Sequence, residues 1–551
     1  MTETTIMRTP SAHCHQLLIK NILDAPLHDN PGQEIVYGGN RRFTYRQFRR
    51  RINQLAGALT QLGVKPGDTV AVMDYDSNRY LECYFAVPMI GATLHTVNIR
   101  LPPEQIVYTI NHAEDDVILI HQDFLPLLEK IRGRIDTVTK YVLLTEDGAD
   151  GDGVIDFAGE YEELLAGQPS TFDFPEFDEN TRATIFYTTG TTGLPKGVYF
   201  SHRQLVLHTM GMLAAFGSPG VQGRFHKDDV YMPITPMFHV HAWGVPYAAT
   251  MLGVKQVYPG RYIPDFLLSL IAAEKVTFSH CVPTILHMLL NSPEIDNVDL
   301  SSLKMIIGGA ALPRSLCLAA LKRGIDIFSA YGQSETCPLL TLAQLDTEML
   351  ELSLEEQAEL RTKTGRAVGF VEVRLVDEEM NDVPHDGEST GELIIRAPWL
   401  TQGYHKDNHN SEALWKGGYL HTGDVANIDA RGFIRITDRI KDIIKIGGEW
   451  VSSLELEDII NQHPAVSEVA VIGMPDPKWG ERPLALVVPQ GDASGKIGEG
   501  LEKSILHHTK DFIKKGIMAR ENLLLKVRLV EAIDKTSVGK IDKKQLRKKF
   551  L

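Results

Sequence analysis

The chain has 551 residues, 43% of them apolar and 23% charged, and carries a net charge of −15 at pH 7. That length exceeds one ordinary core and predicts at least two domains of a soluble globular protein. The acidic balance disfavours nucleic acid as a partner. No apolar run reaches the roughly 18 residues of a membrane span. The opening Met-Thr-Glu-Thr-Thr-Ile is no signal peptide, so a cytoplasmic location is expected. Five cysteines (Cys14, Cys83, Cys281, Cys317, Cys337) lie without C-x-x-C pairing, which argues against a disulfide framework and a structural zinc.

The first 180 residues alternate strand-like and helix-like patterns, the mark of α/β layering. Buried strands are predicted at 69–73, after the turn 65–68, and at 116–120. The most informative stretch is Ile-Phe-Tyr-Thr-Thr-Gly-Thr-Thr-Gly-Leu-Pro-Lys-Gly at 185–197. It sets a hydroxyl-rich glycine loop after an apolar strand, so the loop's N–H groups, the hydroxyls of Thr188, Thr189, Thr191 and Thr192, and the Lys196 ammonium could converge on a polyanion. Gly190, Gly193 and Gly197 give the backbone room. The spacing is not that of a Walker loop, since Pro195 stands at the second glycine position. Ser201 with Gln204 forms a capping-box pattern that predicts a helix, with its N-terminal dipole expected near the phosphate site.

Further along, His239-Val240-His241 reads as an extended segment whose alternate residues face opposite ways, which argues against joint metal ligation. Strands are predicted at 303–307, ending in Gly308-Gly309-Ala310-Ala311, and at 326–330, ending in Tyr331-Gly332. Strand ends followed by small residues are where open α/β sheets build ligand sites. Segments 391–396 and 432–437 read as hairpin-like strands of a barrel-like β subdomain. A break at Arg439-Ile440-Lys441 precedes a small, compact α+β unit, with strands near 467–472 and 484–488. The expected division is 1–438, a hinge at 439–441, and 442–551. The last part holds 18 Lys/Arg against 16 Asp/Glu, so the acidity lies in the large part. The basic run 543–549 reads as a solvated helix end, or as an attraction for a phosphate-bearing ligand.

Five blocks in order resemble the adenylate-forming superfamily, which includes acyl-coenzyme A synthetases, amino-acid adenylation domains and beetle luciferases. They are the loop at 185–197, Tyr-Gly-Gln-Ser-Glu-Thr at 331–336, Tyr-Leu-His-Thr-Gly-Asp at 419–424, the hinge with its glycine turn at 438–449, and Lys-Thr-Ser-Val-Gly-Lys at 535–540. The resemblance implies ATP, Mg²⁺ and coenzyme A as cofactors, a small carboxylic acid as substrate, and it allows a homodimer.

By the same resemblance, Glu335 with Thr188 would hold Mg²⁺, and Asp424 and Arg439 would take the ribose. Lys196, Gly332, Ser334 and Ile436 would join the nucleotide site, and a flat adenine and an acyl carbonyl could lie against the backbone of Gly308, Gly309, Ala310 and Ala311, with Tyr331 as an aromatic face. Lys540 would bridge the carboxylate and the α-phosphate, with His239 beside it and Lys535 as a bystander. Rotation about Lys441 would bring Lys445, Gly447, Gly448, Glu449 and Trp450 to the coenzyme A region. Activating a carboxylate at an α-phosphorus needs positive charge and positioning more than a base.

The segment 236–243 resembles that of fatty acyl-coenzyme A synthetases, with His239 offering no counter-ion for an amine. Trp243 would gate an acyl pocket lined by Val240, Cys281, Val282 and Gly308. His241, where those relatives carry Asn, and 520–525, where they carry a proline turn, depart from the pattern. The expected activity is AMP-forming ligation of a medium- to long-chain apolar acid to coenzyme A. The alternatives are an acyl-AMP ligase loading a carrier protein, a luciferase-type oxygenase, and a non-catalytic nucleotide or acyl binder.

Overall fold

The computed structural model describes residues 6–146, 155–188, 194–446, 449–490, 498–515, 518, 520–537 and 539–551. Thr189, Gly190, Thr191, Thr192, Gly193, Gly447 and Gly448 therefore lie outside the described residues.

Two mostly parallel sheets form the large part. One has the strand order Lys140–Leu144, Val117–His121, Thr69–Met73, Thr93–Thr96, Arg182–Thr188, Lys196–Ser201. The other has nine strands, and its parallel centre runs Asp326–Gly332, Lys304–Ile307, Phe278–Cys281, Val230–Pro233, Lys255–Tyr258. Helix Asn78–Met89 is buried along its whole length and packs against strands of both sheets. Its apolar side chains meet both layers, and its buried Glu82 and Arg79 are paired, with Arg51 and with Asp74 and Glu146. A second apolar core, with Met232, Ile234, Cys281 and Met305, fills the other face of the nine-stranded sheet.

Local signals act where expected. Ser201 accepts from the N–H of Gln204, whose side chain accepts from the N–H of Ser201, and helix His202–Gly217 begins there. Its dipole does not reach the phosphate loop, however. Strands Arg182–Thr188 and Lys196–Ser201 are antiparallel, with Thr188 opposite Lys196 and Arg182 opposite Ser201. The helix thus starts at the far end of the hairpin, roughly 20 Å from the loop at about 3.4 Å per residue.

The segment expected to be barrel-like is a four-stranded antiparallel sheet, Glu372–Val376, Gly391–Arg396, Leu420–Ile428, Ile434–Arg439. Beyond it, a five-stranded sheet is built wholly from residues after 443, and strands Val466–Asp476 and Gly480–Pro489 carry its core. The departure at 520–525 is a short 3₁₀ helix, Arg520–Leu524, whose Leu524 carbonyl accepts from Arg482. Among the described residues no helix is long and apolar enough to cross a membrane.

Candidate active site

A cleft of about 1730 Å³ opens at the carboxyl ends of the nine-stranded sheet's parallel strands, where open α/β sheets place their ligands. It is lined by Thr188, Lys196, His239, Gly309, Ala310, Ala311, Tyr331, Gly332, Ser334, Glu335, Asp424, Ile436, Arg439, Lys441 and Lys540. Residues from three sheets and from the C-terminal loop thus meet in one space.

Asp424 is 3% exposed and is the focus of the polar network. Its Oδ2 accepts from the Tyr331 hydroxyl at 2.6 Å and from Gln333 Nε2 at 2.8 Å. Its Oδ1 lies 3.2 Å from Nε of Arg439. Strand register sets that last contact, because Asp424 pairs directly with Arg439 across the antiparallel ladder. Burial and the Asp424 charge push the Tyr331 phenol well above its ordinary range, so it stays a donor.

Lys540 enters from the loop 535–541, which is closed by a bridge between Lys535 and Ile541. A Cβ placed on Gly309 would lie 3.2 Å from Lys540 Cε, so the lysine stem lies over the bare glycine backbone, where φ is +77°. Burial, helped by the Arg439 charge, holds the Lys540 ammonium down at about 8. His239 is held down to about 3 by burial and by the charges of Lys540 and Arg100, so it is neutral at physiological pH. Lys535 lies at the margin of the same cleft, where it is held in an ion pair with Glu468 at 2.6 Å. Across the domains, Asn98 Nδ2 donates to the Ser537 hydroxyl at 2.9 Å.

Glu335 and Thr188 face this cleft with oxygen donors only, the type that Mg²⁺ takes while keeping waters and substrate phosphates. Those residues fit such an ion. Among the described residues no group of three His, Cys, Asp or Glu could hold a metal.

A smaller cavity of about 50 Å³ adjoins the cleft and is lined by His239, Val240, Trp243, Gly308 and Lys540, and also by Met212, Phe216, Val245, Ile306, Pro338 and Leu339. A Cβ on Gly308 would strike the Trp243 ring and the Ala330 carbonyl, each at 3.1 Å, so glycine is what lets the indole lie there. Two expectations are corrected here. Cys281 faces the opposite core, with its sulfur 3.7 Å from that of Met305. Strand alternation is the reason, since the neighbouring His280 takes the cavity side and lies 5.0 Å from the Trp243 ring. Val282 packs against Gly309 and Gly539, at the lysine, and does not line the small cavity.

A further correction concerns 240–243, which is not extended. Val240, His241, Ala242 and Trp243 all have φ between +47° and +59°, a left-handed turn that costs about 1–2 kcal/mol per residue. The turn keeps Val240 and Trp243 at the cavity and buries His241 among Tyr84, Phe186, Phe200 and Tyr247. Neither ring nitrogen of His241 finds a hydrogen-bond partner among the described residues.

Lys445 lies in strand Ile444–Ile446, which pairs with Glu449–Val451, the strand that holds Glu449 and Trp450. Of the side chains described in these two strands, that of Val451 lines the cleft. Sequence reasoning missed Asn98, Gln333 and Tyr404. Gln333 sits inside a quoted block at a position the pattern leaves open, and Asn98 follows the end of strand Thr93–Thr96.

Known proteins match along nearly the whole length. The AMP-binding enzyme family matches residues 23–405, and the AMP-binding enzyme C-terminal domain matches 455–540. A long-chain-fatty-acid–CoA ligase of Thermus thermophilus is 41% identical, over 92% of this chain and 90% of that protein. A 3-methylmercaptopropionyl-CoA ligase of Ruegeria lacuscaerulensis is 39% identical, over 97% of each. The crystal structure of an anthranilate CoA ligase with anthranoyl-AMP superposes with a TM-score of 0.83 at 26% identity, covering 97% of both chains.

Proposed function

The chain belongs to the AMP-binding enzyme family and is an AMP-forming acid–CoA ligase; on that premise, we propose how its residues divide the work and which acid it takes. Asp424 and Arg439 receive the ribose hydroxyls, and Tyr331 and Gln333 hold the carboxylate for them. Glu335 and Thr188 hold Mg²⁺, which when bound draws charge from the phosphates, and Lys196 with residues 189–193 serves their far end. Lys540 places its ammonium where the acid carboxylate meets the α-phosphorus, a fixed cation aimed at developing charge in a sheltered cleft. His239 stays neutral and serves as a hydrogen-bonding neighbour of the acid.

The small C-terminal unit, 442–551, pivots about Lys441 after adenylation, and its 445–450 turn then faces the site for thioester formation. The observation that carries the reading is Lys540 seated over Gly309, in one cleft with Glu335, Asp424 and Arg439.

The acid proposed is an apolar one of medium to long chain, supported by the apolar lining and the uncharged His239. A second reading, a short apolar acid, is favoured by the cavity of about 50 Å³, which holds little more than a few carbons with Trp243 in place. The test is AMP release from a panel of saturated acids from acetate upward, with and without coenzyme A. Multiple turnover only with coenzyme A supports the ligase assignment, and a carrier-protein requirement would overturn it. The chain-length optimum decides between the two acids.

A further inference from the structure

Tyr404 joins two parts of the site that lie far apart in sequence. Its hydroxyl donates to Oε1 of Glu335 at 2.8 Å. The ammonium of Lys196 lies 4.5 Å from the centroid of its ring. The first contact is a hydrogen bond to a charged acceptor and the second a cation over a π face, so both depend on this side chain's chemistry.

The backbone around it is fixed on both sides. Tyr404 makes a bridge with Val198, and the N–H of His405 donates to the Gly197 carbonyl at 2.8 Å. The N–H of Thr401 donates to the Glu335 carbonyl at 2.9 Å, and its hydroxyl to the Tyr199 carbonyl at 3.0 Å. Gly197 makes the approach feasible, because a Cβ there would sit 3.1 Å from that of His405 and 3.2 Å from the Tyr187 ring. Burial and the Glu335 charge raise the Tyr404 phenol, so its O–H remains a donor at any working pH. The phenol occupies Oε1 of the Glu335 carboxylate, and among the described residues none donates a hydrogen bond to Oε2.

We propose that Tyr404 is a positioning residue that orients the Glu335 carboxylate toward the divalent cation of the nucleotide and holds the Lys196 ammonium beside the phosphates. It acts through those two groups and touches no reacting atom. The inference rests on the reading of Glu335 as a cation ligand given above. A residue that merely packed here would be replaced by phenylalanine without consequence for metal binding.

The experiment is a titration of Mn²⁺ by electron paramagnetic resonance on the full chain with α,β-methylene-ATP, comparing wild type, Tyr404→Phe and Tyr404→Leu. Melting curves run beside it. Tyr404→Phe should weaken Mn²⁺ about tenfold, as for loss of one charge-assisted hydrogen bond. Its affinity for the analogue at saturating Mn²⁺ should stay within about threefold of wild type, because the ring under Lys196 remains. Tyr404→Leu should weaken both. In turnover, the Mg²⁺ concentration at half-maximal rate should rise in Tyr404→Phe while KM for the acid is unchanged. Normal Mn²⁺ uptake by Tyr404→Phe, with wild type also binding, overturns the proposal alone. Failure of wild type to bind Mn²⁺ with the analogue overturns the Glu335 assignment, and this proposal with it.

Discussion

The alkaline limb of adenylation should belong to Lys540. Its ammonium is held at about 8 by burial and by the neighbouring Arg439 charge, below the ordinary lysine value of about 10.4. A lysine shifted down is charged below that pH and neutral above it. With a value near 8, the cation is about 90% present at pH 7 and about 10% present at pH 9. The free enzyme should therefore lose about tenfold in kcat/KM for ATP between those two pH values, if the charged form carries the reaction.

The assay is acid-dependent exchange of pyrophosphate into ATP without coenzyme A, so that no thiol titrates. His239 contributes no limb, since it is already held down at about 3. The limb in kcat should move to higher pH, because bound triphosphate favours the charged ammonium. Lys540→Arg keeps a cation that does not titrate below about pH 12, so it should be slower but without the limb. A wild-type kcat/KM that stays flat to about pH 9.5, or the same limb in Lys540→Arg, would refute the reasoning.

Lys540→Ala should cut pyrophosphate exchange by about 10²-fold or more, whereas Lys535→Ala, which loses only a half-exposed pair with Glu468, should stay within about twofold; comparable losses would mean that the loop acts as a unit. Asn98→Ala removes a contact between the large part and the lysine loop worth about 1 kcal/mol, so adenylation should fall about fivefold while thioester formation from supplied acyl-adenylate is unchanged. Lys441→Pro should spare adenylation and suppress transfer to coenzyme A, as measured by single-turnover assays of each half-reaction, because proline restricts φ at the proposed pivot. Trp243→Ala should move the chain-length optimum upward, by several-fold in kcat/KM per added carbon at about 0.8 kcal/mol per methylene; an unchanged profile would remove Trp243 from the acyl pocket.

Legibility followed the range of the interaction. Strands at 69–73 and 391–396 were readable to the residue, because an apolar run bounded by turn residues is a local signal. The motif residues in the cleft were readable because each block has a fixed spacing. Side-chain facing was harder. Cys281 and His280 are adjacent and equally buried, and only the sheet's two-sided packing decides that His280 faces Trp243 and Cys281 the rear core. The helix dipole was misplaced because the loop between strands Arg182–Thr188 and Lys196–Ser201 reverses the chain. The left-handed turn at 240–243 had no sequence signal, since Val, His, Ala and Trp all disfavour it; only Gly244 next to it hints at positive φ. Tertiary packing holds that turn, and packing is what a single chain read locally does not disclose.

The division of donors across the chain has a consequence for the reaction order. Asp424, Tyr331 and Gln333 hold one another, and Tyr404 holds Glu335, through bonds that lie wholly before residue 440. Among the described residues, Lys540 and its loop meet the large part through Asn98 and Arg100 at Ser537 and by packing at Gly309, Val282 and Thr284. In the proposed rotation about Lys441, the nucleotide's ribose and metal contacts can persist while the catalytic cation departs. The cation is needed when the carboxylate and phosphate, both anionic, must approach; it is not needed when a thiol attacks a neutral acyl carbonyl. Withdrawing it also leaves the departing AMP with fewer positive neighbours, which favours its release after the thioester forms. A Lys540→Ala enzyme given acyl-adenylate should thus transfer to coenzyme A at near wild-type rate, and a proportional loss in both half-reactions would place the lysine in both conformations.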